Sequence, residues 1–257
     1  MIRLFLLILL PASVFARLED NSFLLEEAYN QKPGEFQFIQ GYRSFHSGKE
    51  YNFISDGEMA LGSEKHQFSY QITRLKEEVD HGSFGDTTLN YRIQSVNELD
   101  FLMAHRFGLI LPTGSVKENS GYGVTGFKYV QASSFLLSDE WDNHWNLLFT
   151  HYPEAKVKFS DKRRTLNEYG ISSSLVYHWK ENLNFLLEGN YEAHEKLNFK
   201  NQKKYDYHFI LNPGVRTAID LSWKETQIVP GISFPVRYQE DQIDHGVVLY
   251  LSIEPKF

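Results

Sequence analysis

The sequence predicts an all-β protein: a transmembrane, antiparallel up-and-down β-barrel of about twelve strands, preceded by a short N-terminal helix. Three observations favour this fold. Segments of about ten residues alternate apolar and polar side chains, which is the period of a strand with two different faces. The connections between these segments are alternately short and long. The chain begins with an export signal, yet none of its 257 residues is a cysteine, so disulfides cannot stabilise it.

The first sixteen residues are typical of a secretory signal peptide. Arg3 supplies an early positive charge, Leu4 to Leu10 form an apolar run, and Val14-Phe15-Ala16 resembles a cleavage site. The apolar run is too short to span about 30 Å of hydrocarbon. We therefore expect residues 1–16 to be removed after Ala16 and the mature chain to be exported to the cell outer membrane.

Residues 17–34 predict a short periplasmic helix. One of the polar residues 20–22 can cap its N-terminus, and Pro33-Gly34 ends it. We expect the helix to lie at the periplasmic mouth of the barrel or, alternatively, to plug its pore. The barrel itself is predicted to comprise residues 35–257.

From Glu35 onward the strand period prevails over the helical one. One of the clearest examples is the segment that begins at Leu183, where Leu183, Phe185 and Leu187 share one face. We predict strands near residues 35–45, 50–61, 65–75, 86–96, 100–112, 121–137, 142–152, 166–180, 183–194, 204–219, 225–237 and 246–257.

The connections differ in length at the two ends of the predicted strands. Short ones such as GSEK at 62–65 alternate with long polar ones such as PEAKVKFSDKRRTLNE at 153–168. This asymmetry is typical of outer-membrane barrels, which have tight periplasmic turns and long external loops. We expect the last strand to close against the first, with Phe257 in an aromatic girdle where barrel-assembly machinery would recognise it.

Composition narrows the class of partner. The chain has 33 acidic and 26 basic residues and a net charge of −7, which argues against nucleic acid as a partner. No stretch of about twenty apolar residues follows the signal, so no transmembrane helix is predicted. We expect a monomer without cofactors, in contact with outer-membrane lipids and lipopolysaccharide and with a small-molecule solute.

Six short segments follow one another along the chain: NSFLLEEAYNQKPG at 21–34, FGDTTLNYRIQ at 84–94, RFGLILPTGS at 106–115, LNPGVR at 211–216, QIVPGISFPV at 227–236 and HGVVLYLSIEPKF at 245–257. Their ordered set resembles the outer-membrane transporter family labelled MetA-pathway of phenol degradation. The resemblance implies an outer-membrane barrel grouped with transporters of hydrophobic or aromatic compounds, and it implies no chemical role for any single residue.

If the apolar parity of the strands faces lipid, the other parity faces the lumen. Two interpretations follow: a charged constriction that selects solutes during passive diffusion, or a plug of Arg–Glu pairs that fills a narrow bore. The polar residues on this parity include Asn90, Arg92, Arg106, His178, Glu188, Asn190, Glu192, Arg216, Arg237 and Glu254.

Two alternative functions remain open. The first is an outer-membrane hydrolase, for which the spacing His81-Gly82-Ser83 is the candidate, although spacing alone is weak evidence. The second is a structural or adhesive barrel that acts through its external loops. Isolated histidines such as His144 and His245 are interpreted as structural, since no spacing matches a metal site. A basic cluster in the longest loop is predicted to hold lipopolysaccharide and comprises Lys156, Lys158, Lys162, Arg163 and Arg164.

Overall fold

The computed structural model describes residues 18, 20–76, 82–158, 160–197 and 202–256. The predicted signal peptide with its cleavage point after Ala16, His81 of the candidate catalytic spacing, and the terminal Phe257 lie outside these residues. No helix in the described part of the chain is long and apolar enough to cross a membrane.

The described residues form strands with two 3-10 turns between them. The strands are β1 (Phe36–Phe45), β2 (Glu50–Ala60), β3 (His66–Lys76), β4 (Ser83–Phe84), β5 (Thr87–Asn97), β6 (Phe101–Leu111), β7 (Gly126–Leu136), β8 (Trp141–Val157), β9 (Ser160–Lys180), β10 (Leu183–Leu197), β11 (Lys203–Thr217), β12 (Ile219–Leu221), β13 (Thr226–Ser233), β14 (Val236–Gln239), β15 (Gln242–His245) and β16 (Val247–Glu254).

Twelve of these strands close into an antiparallel barrel, as predicted, and the short β4, β12, β14 and β15 extend it. The ring closes where β1 pairs with β16, with Phe38 opposite Ile253 and Ser44 opposite Val247. The predicted pairing of the last strand with the first is therefore confirmed. Closure leaves no free edge, so the backbone groups of the strands are paired within the ring.

Two connections predicted as long loops are instead continued hairpins. β8 and β9 pair as far as Val157 and Ser160, and β10 and β11 pair as far as Leu197 and Lys203. Apolar side chains stabilise this extension, because Ala155 and Leu166 are buried in a cluster with Ile110 and Tyr152. Polar residues separate these apolar side chains along the chain, so the sequence pattern did not indicate that the strands continue.

The two faces of the barrel wall differ in chemistry. In β10, Leu186 and Glu188 are buried and point inward, whereas Phe185 and Leu187 are exposed on the outside. The same alternation elsewhere exposes Phe107 and further large apolar side chains. The predicted parity is therefore the parity of the structure, with an apolar exterior and a largely polar interior.

The N-terminal segment departs from the prediction. Residues 20–34 contain bends and a turn but no helix, so the prediction of a helix over 17–34 is wrong for this part of the chain. The segment lies inside the barrel, where its backbone and side chains contact the inward-facing residues. We call residues 20–34 the luminal segment.

Candidate functional site: the barrel lumen and its inner segment

Inward-facing side chains bind the backbone amides of the luminal segment. The Leu24 amide donates to Glu188 Oε1 over 3.0 Å, and the Ala28 amide donates to Ser134 Oγ over 2.8 Å. These bonds take the place of the amide-to-carbonyl bonds of a helix. Tertiary contacts thus satisfy the backbone and override the local helical preference.

The carbonyl groups of the segment are bound in the same way. Arg216 Nη1 donates to the carbonyl oxygens of Asp20 at 2.9 Å and Asn21 at 2.7 Å. Gln94 donates to the Ala28 carbonyl over 2.8 Å, and Arg92 donates to the Glu27 carbonyl. Polar and charged side chains of the lumen wall therefore determine the backbone conformation of the luminal segment.

Two adjacent glutamates of the segment carry its ion pairs. Glu26 pairs with Arg106 and lies 3.9 Å from Arg92.

Glu27 pairs with Arg216 at 3.0 Å and lies 3.7 Å from His144. Because buried charges are costly unless they are paired, these contacts tie the segment to the wall. In the plug interpretation, the strand arginines are expected to meet the strand acids Glu188, Glu192 and Glu254. For Arg92, Arg106 and Arg216 this expectation is wrong, since their acidic partners come from the luminal segment.

An aromatic side chain anchors the segment beside two glycines. Phe23 meets Tyr250 edge to face, with ring centroids 5.7 Å apart. It lies against Gly214 and Gly231, and a Cβ atom at Gly231 would stand 2.5 Å from its ring. Glycine at these positions makes room for the ring, which is a close approach that any larger side chain would obstruct.

Side chains from strands around the whole circumference contact the segment. It therefore spans the cross-section of the lumen. The contacting residues are Gln37, Gln67, Arg92, Arg106, Ser134, His144, Ser174, Glu188, Arg216 and Tyr250.

Three other predicted lumen residues, His178, Glu254 and Arg237, have partners within the wall. Asn90 is buried, but its Oδ1 has no hydrogen-bond partner among the described residues. His178 bonds Asp142 at 2.7 Å near the short-turn end. Glu254 accepts from Gln37 over 2.8 Å. Arg237 lies at the loop end, where it binds two acids, Glu50 and Asp244. These residues are dispersed along the barrel and do not form one constriction.

A cavity of about 300 Å³ occupies the lumen, and residues 21–26 of the luminal segment form one side of it. Its wall has an apolar part that includes Ile54 and Leu148. Its charged residues are Glu26 of the luminal segment and, on the strands, Arg43, Asp56, Glu58, Arg106, Lys128 and Glu192. Of the predicted lumen residues, Arg106, Asn190 and Glu192 line this cavity, whereas Arg92 and Arg216 are covered by the segment.

At the loop end, Asp86 fastens two external loops together. Its carboxylate accepts from the amides of Gly114 at 2.8 Å and Tyr122 at 3.4 Å. Burial raises the pKa of this carboxyl above its usual range, and the two amide donors oppose that rise.

Sequence reasoning missed the acidic residues of the luminal segment as site residues. The predicted helix includes Asp20, Glu26 and Glu27, although all three bind the lumen wall. The one signal in the sequence was an acidic stretch placed just before a barrel whose inward parity carries unpartnered arginines. Arg43 and Lys128, which line the cavity, were also missed.

A buried serine and histidine bear on the hydrolase alternative. His144 Nδ1 lies 2.7 Å from Ser134 Oγ, and Glu27 is on the other side of the ring. Both side chains are fully buried, and Ser134 already accepts the Ala28 amide. The hydroxyl is covered while the luminal segment is in place, so this trio fits a structural role.

A closed barrel with an apolar exterior and a polar interior defines the class of transmembrane β-barrels. Solved structures of the same fold include an outer membrane channel from Pseudomonas putida F1 (TM-score 0.67, 13% identity, covering 90% of this chain and 98% of that one). The NanC porin has a TM-score of 0.57 at 10% identity and the KdgM porin 0.52 at 10%, each covering 86% of this chain. That coverage is 100% of the NanC chain and 99% of the KdgM chain.

No family model and no curated protein matches the sequence. The likeness to the solved barrels, at this identity, shows the fold alone. The narrower resemblance to the MetA-pathway family stays a prediction.

Proposed function

We propose that the protein is an outer-membrane channel that passes small solutes by passive diffusion. The observation that carries this proposal is the lumen cavity of about 300 Å³, whose size matches small-molecule sites in proteins. The structures of similar fold, which are described as an outer membrane channel and as porins, are consistent with the proposal.

The cavity wall supports a solute class. Apolar side chains such as Ile54 and Leu148 form one part of the wall, and the charged part carries both signs, with Arg43 and Lys128 among its bases and Asp56 among its acids. Such a wall suits a small aromatic compound with a polar group. This refines the hydrophobic or aromatic solute that the family resemblance implies.

In this proposal the luminal segment is the gate. It spans the lumen, so solutes pass only when its contacts to the wall are released. The basic cluster of residues 156–164 lies on the β8–β9 hairpin at the external end, and its binding to lipopolysaccharide remains a prediction.

A reversible disulfide tests the gate, because the chain has no cysteine of its own. The Ala28 amide lies 2.8 Å from Ser134 Oγ, so the double variant Ala28→Cys with Ser134→Cys joins the segment to β7. We expect the oxidised protein in liposomes to give no benzenesulfonate flux and the reduced protein to restore it. Benzenesulfonate is a suitable aromatic probe because its sulfonate group stays ionised at neutral pH, and a permanently charged group does not cross lipid readily.

Each single-cysteine variant is the control and should be indifferent to oxidant. Equal flux in the oxidised and reduced double variant would show that the segment is no gate. Absence of both conductance and benzenesulfonate flux in the wild-type and reduced proteins would overturn the channel proposal itself.

A further inference from the structure

The geometry points to a binding site for a divalent transition metal ion of the zinc type, formed by Glu192, His194 and His208 on the inner wall of the barrel. The inference is independent of solute passage. The three candidate ligand atoms lie within 4.8 Å of one another, and Glu192 lines the lumen cavity.

Strand register brings these residues together. Glu192 and His194 are two positions apart on β10 and therefore point to the same face. His208 on β11 stands directly opposite Glu192, and Glu168 on β9 stands opposite His194. Gly170, the β9 residue opposite Glu192, has no side chain to crowd the carboxylate.

The distances suit a metal site. Glu192 Oε2 lies 3.0 Å from His194 Nε2 and 3.4 Å from His208 Nε2. Ligands at the usual zinc distance in a tetrahedral site are about 3.3 Å apart. Two imidazoles and one carboxylate are a ligand set that zinc accepts, and such a set leaves a fourth position for water or a solute group.

Outer contacts orient two of the three ligands. Asn190 donates to Glu192 Oε1 over 2.9 Å, which leaves Oε2 directed at the histidines. His194 Nδ1 lies 3.4 Å from Glu168 Oε1, as in the carboxylate–histidine pairs that orient metal ligands. A neutral imidazole has one N–H and cannot donate to both Glu168 and Glu192. Either a second proton or a metal ion must therefore lie between these groups.

A second trio with similar chemistry provides the control. His46, Glu50 and Asp244 also come together at the loop end. Arg237 Nη2, however, donates to Glu50 over 2.7 Å and to Asp244 over 3.0 Å. A guanidinium thus already serves as the cation there, so this trio is not expected to bind metal.

The test is calorimetric titration of the detergent-purified mature protein, without a histidine tag and after treatment with chelator, with ZnCl₂. We expect one zinc ion per barrel, no comparable binding of MgCl₂, and at least tenfold weaker zinc binding in His208→Ala and Glu168→Gln. His46→Ala should bind zinc as the wild type does. The mobility of unboiled protein on a gel verifies that each variant is folded.

Two results would overturn the site. One is the absence of saturable zinc binding by the wild-type barrel, which would assign the cluster to histidine protonation. The other is equal zinc affinity of the wild type and His208→Ala, since His208 would then not be a ligand.

Discussion

At the scale of single residues, two leucines test which face of the wall meets lipid. Leu187 lies within β10 and Leu221 lies at the short-turn end of β12, with exposed fractions of 48% and 39%. An arginine near the middle of a bilayer costs about 2–4 kcal/mol, and near its surface about 0–1 kcal/mol. We expect Leu187→Arg to destabilise the barrel by the larger amount and Leu221→Arg by the smaller.

Urea unfolding in lipid vesicles measures this difference. Leu221→Arg is the matched control, because residue type, substitution and outward direction are the same and only the depth changes. Equal losses of stability in the two variants would contradict the proposed position of the bilayer.

The inward parity could be predicted residue by residue, but the partners could not. Strand alternation placed Arg92 and Arg216 inside correctly, because side-chain direction depends on local sequence alone. Their partners lie far along the chain: Arg216 and Glu27 are 189 residues apart. No local sequence pattern indicates a contact between residues so far apart along the chain.

At the scale of elements, one added methyl group tests how the luminal segment is anchored, because Gly231 leaves the space that the Phe23 ring occupies. In Gly231→Ala the new Cβ would stand 2.5 Å from the Phe23 ring, so we expect the ring to be displaced and the segment to become sensitive to added protease. Overpacking of this kind typically costs about 1–3 kcal/mol. Limited proteolysis of folded protein in detergent, read by mass spectrometry, measures the release.

Two variants define the specificity of that effect. Phe23→Ala combined with Gly231→Ala removes the clash, so the double variant should be less affected than the sum of the single changes. Gly41→Ala is the control for added bulk in a strand, because its Cβ would be 3.9 Å from the nearest atom, Ile54 Cβ. Equal protease sensitivity in Gly41→Ala and Gly231→Ala would show that the space beside Gly231 does not anchor Phe23 and the luminal segment.

The helix over 17–34 was the main error at this scale. Its capping residues and the Pro33-Gly34 stop are local signals, and they describe what the segment would do in isolation. Inside the lumen, Glu188 and Ser134 bind its amides and Arg216 binds its carbonyls. The sequence thus predicted where the segment ends but not its conformation.

At the scale of the whole molecule, a closed ring predicts a distinctive response to detergent. The β1–β16 pairing leaves no edge from which strands can separate, so SDS at room temperature should leave the barrel folded. We expect unboiled protein to migrate differently from boiled protein on a gel. Recovery of the mature chain as a soluble monomer without detergent would contradict a transmembrane barrel.

The contacts of Asp20 link the N-terminus of the luminal segment to the order of assembly. Asp20 Oδ1 accepts from Gln37 on β1 at 2.6 Å and from Tyr250 on β16 at 2.7 Å, strands from opposite ends of the sequence. This docking point does not exist until those strands meet, although Asp20 is synthesised before either of them. A segment that is synthesised early therefore docks late in assembly. Burial of Asp20 shows that β1 and β16 have paired. A periplasmic protease that cuts an undocked N-terminus would thereby distinguish unfinished barrels from finished ones.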